Sequence, residues 1–303
     1  KKFFLKFRKQ FNLRSRSPVT VFLKVQKVRQ KIKSLDLLCL SITLLLGFMS
    51  PTHSGFASPQ NKTLMQPQGV QGMAATNTTN IVLVHGLWAD GSSWSKVIPI
   101  LENAGHRIIA AQLPLHSLAD DVATVKRAID IVGRPTILVG HSFGGFIITN
   151  AGYNNQNVTG LVYVSAFAPD EGESTATFVD VATLPPGLLV FDSGGFAYLN
   201  PEMFHEAFVQ DVNTTEAETL AVVQKPAHQS LFTEPSGPPS WKQLPTWFEV
   251  SESDHIIPPD AQRQFAQRMN ATTISLNSSH ASPVSHPDKI AQLILDAARG
   301  STG

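Results

Sequence analysis

The chain has 303 residues, of which 42% are hydrophobic, and this composition suits one mid-sized globular domain with its own core. Half of its 24 Lys and Arg lie in residues 1–33, and the chain beyond Asp36 carries 12 Lys and Arg against 22 Asp and Glu. An acidic folded part argues against nucleic-acid binding, and because the single cysteine is Cys39, disulfides and cysteine catalysis are excluded from the rest of the chain.

The N-terminal segment has the pattern of a signal peptide. A basic stretch precedes the apolar run 37–49, which is short for a membrane span and typical of a signal-peptide core. Gly55 and Ala57 are small residues at the −3 and −1 positions of a cleavage site, so we expect cleavage after Ala57. This predicts a periplasmic or secreted protein without a stable membrane span after processing. The alternatives are an uncleaved anchor, or a cytoplasmic protein whose true start lies beyond the basic segment.

Four regions follow from the composition along the chain. Residues 1–57 hold the basic segment and signal peptide, and residues 58–79, rich in Gln, Asn, Thr, Gly and Pro, predict a disordered linker. From residue 80 onward strand and helix patterns alternate, which predicts an α/β fold with a mostly parallel, doubly wound sheet. Residues 170–240 interrupt the alternation and predict an inserted helical cap on a core formed by 80–169 and 241–300.

The elements of the predicted core are short apolar strands separated by amphipathic helices. Ile81–Val84 is a continuous apolar run, typical of a strand buried on both faces. Ser117 is a predicted N-cap, since Asp120 and Asp121 fall in the first turn of the helix that follows. The predicted strands are 81–84, 107–112, 136–139, 161–164, 246–250 and 272–276, and the predicted helices are 94–104, 118–132, 143–153, 202–211, 215–223, 259–269 and 287–298.

A serine motif lies between a predicted strand and a predicted helix. Gly140-His141-Ser142-Phe143-Gly144 matches the G-x-S-x-G pattern, whose glycines permit a crowded turn that exposes the serine hydroxyl. The following helix directs its N-terminal amides at the same point, where a negative oxygen could be stabilised. The motif therefore predicts Ser142 as a nucleophile; the alternative is a glycine-rich turn with a chance serine.

A second turn follows the first strand. His85-Gly86-Leu87-Trp88 stands where the amide after His-Gly points into the oxyanion site of proteins with this serine motif. We expect the backbone amides of Leu87 and Phe143 to form an oxyanion hole. Trp88 and His141 are candidate substrate-pocket residues, although Trp88 could equally pack over the loop.

The general base should lie late in the chain, because proteins with this motif place the acid and then the histidine after the serine. His280 follows the strand 272–276, which puts it on the rim where Ser142 is expected. His286, the competing candidate, directly precedes Pro287 at the start of the last helix.

The acid should end a strand between the predicted cap and His280. Asp254 follows the strand 246–250 and would orient the histidine and stabilise its charged form. Asp170, one strand earlier, is the alternative, and Glu252 is a weaker one. The isolated histidines lack metal-ligand spacing and the chain has no nucleotide-binding glycine motif, so we expect neither a metal nor a cofactor; these histidines are His53, His106, His116, His205 and His228.

Taken together, these motifs resemble those of the small bacterial α/β-hydrolases, which are related to plant methylesterases, hydroxynitrile lyases and a pyrethroid-hydrolysing esterase. The resemblance covers about residues 80–300. It implies the α/β-hydrolase fold with a helical cap over 170–240 and a triad of Ser142, Asp254 and His280. The segment Ala281-Ser282-Pro283 departs from the bulkier apolar residues of these relatives.

Three functions are compatible with the resemblance. The first is hydrolysis of a small-molecule carboxylic ester through an acyl-enzyme. The second is cleavage of cyanohydrins on the same triad, but the resemblance implies a lysine after the catalytic histidine in such lyases, and Ala281 stands there. The third is a binding protein that has lost its chemistry, which the complete set of triad candidates disfavours. The sequence carries no signal for an oligomeric state.

Overall fold

A computed structural model describes residues 78–179 and 184–301. The predicted signal peptide, Cys39 and most of the predicted linker lie outside these residues, and His53 lies outside them as well. Within the two described ranges, no helix is long and apolar enough to cross a membrane.

Six parallel strands form the central sheet. In spatial order they are β2 (Ile108–Ala111), β1 (Asn80–Val84), β3 (Thr136–His141), β4 (Val158–Val164), β8 (Thr246–Ser251) and β9 (Thr272–Leu276). Every neighbouring pair is parallel. All six residues of β3 and of β8 are buried, as expected for strands covered on both faces.

Helices cover both faces of this sheet, which confirms the predicted doubly wound α/β architecture. Side chains of β1 alternate between two cores: Ile81 and Leu83 belong to one, Val82 and Val84 to the other. The helices are Ile98–Asn103 (α1), Leu118–Val132 (α2), Gly144–Ala151 (α3), Thr175–Phe178 (α4), Pro201–Phe208 (α5), Thr214–Val223 (α6), Pro259–Arg268 (α7), Ser282–Ser285 (α8) and Pro287–Gly300 (α9). Helices α1 and α9 contribute to the first core, and α2, α3 and α7 to the second.

The helix α2 begins and ends where the sequence predicts. The side chain of Ser117 accepts a hydrogen bond from the amide of Asp120, and Gly133 follows the last residue with a φ of +78°. The predicted helix 94–104 is instead a 3₁₀ turn over Gly91–Trp94 followed by α1. Pro99 has no amide hydrogen and is favoured in a first helical turn, which explains why α1 begins only at Ile98.

The segment 170–240 is more mixed than the predicted helical cap. It contains α4, α5 and α6, but also a three-stranded antiparallel sheet that the sequence analysis did not predict. These strands have two to four residues, too few to show a period-two pattern. They are Leu189–Phe191 (β5), Phe196–Leu199 (β6) and Ala227–His228 (β7).

Candidate active site

Ser142 occupies the tight turn between β3 and α3. Its φ is +55°, a left-handed backbone conformation that is costly for a residue with a side chain, and it is 4% exposed. Its amide donates to the carbonyl oxygen of Val164, 3.1 Å away, which ties the turn to β4. A Cβ on Gly145 would lie 1.9 Å from the carbonyl oxygen of Phe167, so only glycine permits this packing of α3.

The three predicted triad side chains form one buried hydrogen-bonded chain. The Nε2 atom of His280 lies 2.8 Å from the Oγ atom of Ser142, and its Nδ1 atom lies 2.7 Å from the Oδ2 atom of Asp254. Since the carboxylate can only accept, Nδ1 carries the proton and Nε2 accepts from the Ser142 hydroxyl. This arrangement can remove a proton from Ser142 and stabilise the imidazolium that results.

Asp254 is held in place by three further donors. Its Oδ1 atom accepts from the amides of Ile256 at 2.7 Å and Ile257 at 2.9 Å. Its Oδ2 atom accepts from the Nε2 atom of Gln262 at 2.8 Å, while the Oε1 atom of Gln262 accepts from the amide of Ser251. The sequence analysis missed Gln262; the available signal was a glutamine in the first turns of α7, eight residues after the acid.

The alternative acids and histidines lie elsewhere. Asp170 forms a surface ion pair with Lys242, whose hydrogen bonds hold the pKa of Asp170 below its ordinary value. Glu252 pairs with Arg263 on the surface. The Nδ1 atom of His286 contacts the hydroxyl of its neighbour Ser285. None of these side chains hydrogen-bonds to Ser142 or His280 among the described residues.

The two predicted oxyanion donors flank Ser142. A Cβ on Gly86 would lie 2.6 Å from the Cβ of Ser142, so the His-Gly turn is in direct contact with the serine. In the described part of the chain, the amides of Leu87 and Phe143 donate to no protein acceptor. Two uncommitted amides beside a serine hydroxyl provide the donors that a negative oxygen would need.

The side chain of His85 fixes this turn, a role that the sequence analysis did not assign. Its Nδ1 atom donates to the carbonyl oxygen of Gly86 at 2.9 Å, and its Nε2 atom accepts from the amide of Leu113 at 3.1 Å. Burial lowers the pKa of His85 to about 4, so the ring stays neutral at neutral pH.

The loop that carries His280 has two further tethers. The Nε2 atom of His141 donates to the carbonyl oxygen of His280 at 2.8 Å, and burial lowers the pKa of His141 to about 3. Asp211, from the segment 170–240, accepts from the amide of Ser279 at 2.9 Å. The hydrogen bond from His141, at the end of β3, and the hydrogen bond to Asp211, in the segment 170–240, thus hold the loop of His280 in place.

The cavity next to Ser142 is almost entirely apolar. No charged side chain lines it within the ranges 78–179 and 184–301, and we call it the catalytic cavity. Its walls come from the His-Gly turn, from α4, from the small antiparallel sheet and its flanks, and from the segments that follow β4 and β8. The lining residues besides Ser142 are Leu87, Trp88, Phe167, Thr175, Val179, Leu184, Leu188, Leu189, Leu199, Phe232 and Ile256. Of the two predicted pocket residues, Trp88 lines this cavity and His141 lines a second one. In the same two ranges no group of three or more His, Cys, Asp or Glu residues is arranged to hold a metal ion.

Comparison with known proteins gives the same family as the motifs. The chain belongs to the alpha/beta hydrolase family, whose model matches residues 81–293. A pyrethroid hydrolase of Sphingobium wenxiniae is 29% identical over 254 residues, which are 73% of this chain and 88% of that protein. An alpha-hydroxynitrile lyase of Arabidopsis thaliana is 30% identical over 122 residues, 36% of this chain and 47% of that protein.

A solved structure shows the same fold. The pyrethroid hydrolase from Sphingobium faniae JZ-2 superimposes with a TM-score of 0.64 at 24% identity, covering 74% of this chain and 99% of the other. The predicted family and fold class are therefore confirmed.

Proposed function

We propose that this protein is a serine hydrolase that cleaves small, uncharged carboxylic esters through an acyl-enzyme. One observation carries the proposal: the buried hydrogen-bonded chain from Ser142 through His280 to Asp254, which opens on an apolar cavity. The similarity to the pyrethroid hydrolase of Sphingobium wenxiniae supports hydrolase activity.

The geometry supports a two-step reaction. His280 takes the proton of Ser142 as the serine oxygen attacks the ester carbonyl carbon, and the amides of Leu87 and Phe143 stabilise the resulting oxyanion. The imidazolium of His280, stabilised by Asp254, then gives its proton to the leaving alcohol, and the acyl group stays on Ser142. In the second step His280 activates a water molecule, which releases the carboxylic acid and restores the serine.

The surroundings of His280 favour ester cleavage over cyanohydrin cleavage. A departing cyanide needs a positive partner in a dry pocket, because an unpaired buried anion is costly. The residue after His280 is the buried Ala281, and no Lys or Arg of the described chain lines the catalytic cavity. An ester needs no such cation, since His280 protonates its leaving alkoxide.

Kinetics of p-nitrophenyl esters test the proposal. The wild-type protein should hydrolyse short esters, and Ser142→Ala should lower kcat by several orders of magnitude, on the order of 10⁶ in a comparable triad. Ser95→Ala is the matched control, because Ser95 is exposed and its side chain has no role in the site. An alkyl fluorophosphonate should label Ser142 and no other serine.

Two results would count against the proposal. Near-native esterase activity in Ser142→Ala would show that Ser142 is not the nucleophile. Rapid cyanide release from mandelonitrile with negligible ester turnover would assign the same triad to a lyase.

A further inference from the structure

Two apolar cavities of the molecule meet at Trp88. The catalytic cavity contains Ser142. A second cavity, here the side cavity, is lined mostly by apolar side chains, among them Phe204, Phe208 and Ala281 next to His141. Its other polar lining residues are Asp90, Ser92, Ser93 and Gln224. In the described part of the chain, Trp88 is the one residue that lines both.

The ring of Trp88 is fixed from several directions. Its backbone has a left-handed φ of +58°, and its indole N–H donates to the carbonyl oxygen of Ala197 in β6 at 3.1 Å. The ring packs edge to face on Phe208, with centroids 6.5 Å apart, and tilts against Phe232 at the same distance. Because three neighbours in the segment 170–240 hold the indole in place, Trp88 forms a rigid wall.

The side cavity passes close to the proposed base. The ring centroid of Phe208 lies 4.9 Å from that of His280, and Ala281, the next residue, contributes to the cavity wall. Without the indole of Trp88, apolar space would therefore run from Ser142 past His280 into the side cavity.

We infer that Trp88 determines the size of the acyl group that the enzyme accepts. This inference rests on the proposed function. During the reaction the acyl group is bonded to Ser142, so it must occupy the cavity that Ser142 lines. Since Trp88 closes that cavity toward the side cavity, the wild-type enzyme takes compact, uncharged apolar acyl groups and excludes long straight chains.

Replacing the indole by a small side chain should open the side cavity to substrate. We expect Trp88→Ala to shift the optimum for p-nitrophenyl esters from short acyl chains toward the decanoate. Its kcat/KM for decanoate relative to acetate should rise about tenfold or more over wild type, since single methylenes already change selectivity by this amount in apolar pockets. Trp88→Phe keeps a ring at this position and should retain most of the wild-type preference.

A matched control is available in Trp241. Its indole N–H also donates to a carbonyl oxygen, that of Pro169, at 2.8 Å, but it lines neither cavity. Trp241→Ala should therefore leave the chain-length profile unchanged. If Trp88→Ala does not fold, Trp88→Leu offers a smaller opening with less lost packing.

Binding of 2-alkanones separates this inference from the proposed function, because these ketones have no leaving group. Titration calorimetry should show that Trp88→Ala gains affinity for 2-tridecanone relative to 2-pentanone, by about tenfold or more, whereas Trp241→Ala does not. If no variant hydrolysed any ester, the proposed function would fail while ketone binding still tested Trp88. Equal ester profiles and equal ketone preferences in wild type and Trp88→Ala would overturn the inference.

Discussion

Ser282 donates a hydrogen bond to Glu249 across 2.9 Å and thereby joins the loop of His280 to strand β8 of the six-stranded sheet. Glu249 is fully buried, and its carboxyl group also accepts from the hydroxyls of Ser165 at 3.0 Å and Ser251 at 2.9 Å. Burial raises the pKa of Glu249 to about 7, in spite of these donors. The carboxyl group of Glu249, with its raised pKa, therefore lies close to the site, on the strand that leads to Asp254.

This carboxyl group should make stability depend on pH. With a pKa of about 7 in the native state and an ordinary value of 4.5, Glu249 stays protonated in the folded chain where the unfolded chain has already lost its proton. The free energy of unfolding should thus fall as pH rises from about 4.5 to 7, by about 3 kcal/mol from this group. The variant Glu249→Gln should lack this fall. The difference between its free energy of unfolding and that of the wild type should therefore shift in favour of the variant when the pH is raised from 5 to 8.

Urea unfolding at the two pH values measures this difference. Glu252→Gln is the control, because Glu252 lies just beyond the same strand but is exposed and paired with Arg263. Asp121, whose pKa burial also raises to about 7, is common to all the proteins and cancels in the comparison. A Glu249→Gln effect that is equal at both pH values would show that the buried carboxyl group does not titrate in this range.

The choice of acid can be tested by two asparagine variants. Asp254→Asn should lower kcat by about 10⁴-fold, because an amide cannot hold the same histidine tautomer or stabilise the imidazolium. Asp170→Asn should change kcat little, since it alters only a surface ion pair with Lys242. Stopped or steady-state assays with p-nitrophenyl acetate suffice for both. The reverse ranking would move the acid to the end of β4.

Local motifs were enough to predict the parallel sheet and the three side chains, Ser142, Asp254 and His280, that are hydrogen-bonded at its edge. Ser142 follows a strand whose residues are all apolar or small up to His141, and Asp254 and His280 each follow a strand end. Because parallel strands present their carboxyl ends at one edge, residues that are distant in sequence were expected together there.

The residues that support the site could not be predicted in this way. Glu249 interrupts an apolar strand, and only the folded chain shows the serines that surround it: Ser165 directly after β4, Ser251 at the end of β8 and Ser282 in α8. Likewise the contacts that hold Trp88 form only when β6 and α5 are in place, and β6 is too short to leave a periodic pattern. Such contacts depend on tertiary packing, which a local pattern does not encode.

Export remains a proposal that rests on residues 37–57 of the sequence. Expressed in a bacterium with its own N-terminal segment, the protein should be recovered from the periplasm or medium with Ser58 as its first residue. Intact-mass analysis and N-terminal sequencing check this. A chain started at Ser58 is the control and should stay in the cytosol, whereas a full-length chain confined to the cytosol would contradict the proposal.

Gln262 should act as a positioning residue for Asp254. Its side chain joins three groups: it donates to the Oδ2 atom of Asp254 and to the carbonyl oxygen of Ile257, both at 2.8 Å, and accepts from the amide of Ser251 at 3.0 Å. Gln262→Leu keeps the volume but removes the partner of the Ser251 amide and of the Ile257 carbonyl oxygen, and it leaves the Oδ2 atom of Asp254 with His280 as its one remaining partner among the described residues. The unfolding free energy should fall by about 1–3 kcal/mol.

The same variant should affect kcat rather than KM. Asp254 keeps the amides of Ile256 and Ile257 but loses the donor on the oxygen that faces His280, so the carboxylate can rotate. Misplacement of a reacting group by a fraction of an ångström to an ångström can lower kcat by up to about 100-fold. KM should stay at its wild-type value, since Gln262 does not line the catalytic cavity.

Gln264→Leu, on the exposed side of α7, is the matched control. Active-site titration with a fluorophosphonate separates slower turnover from loss of folded enzyme: a kcat that is unchanged per labelled site would mean that Gln262 serves stability alone.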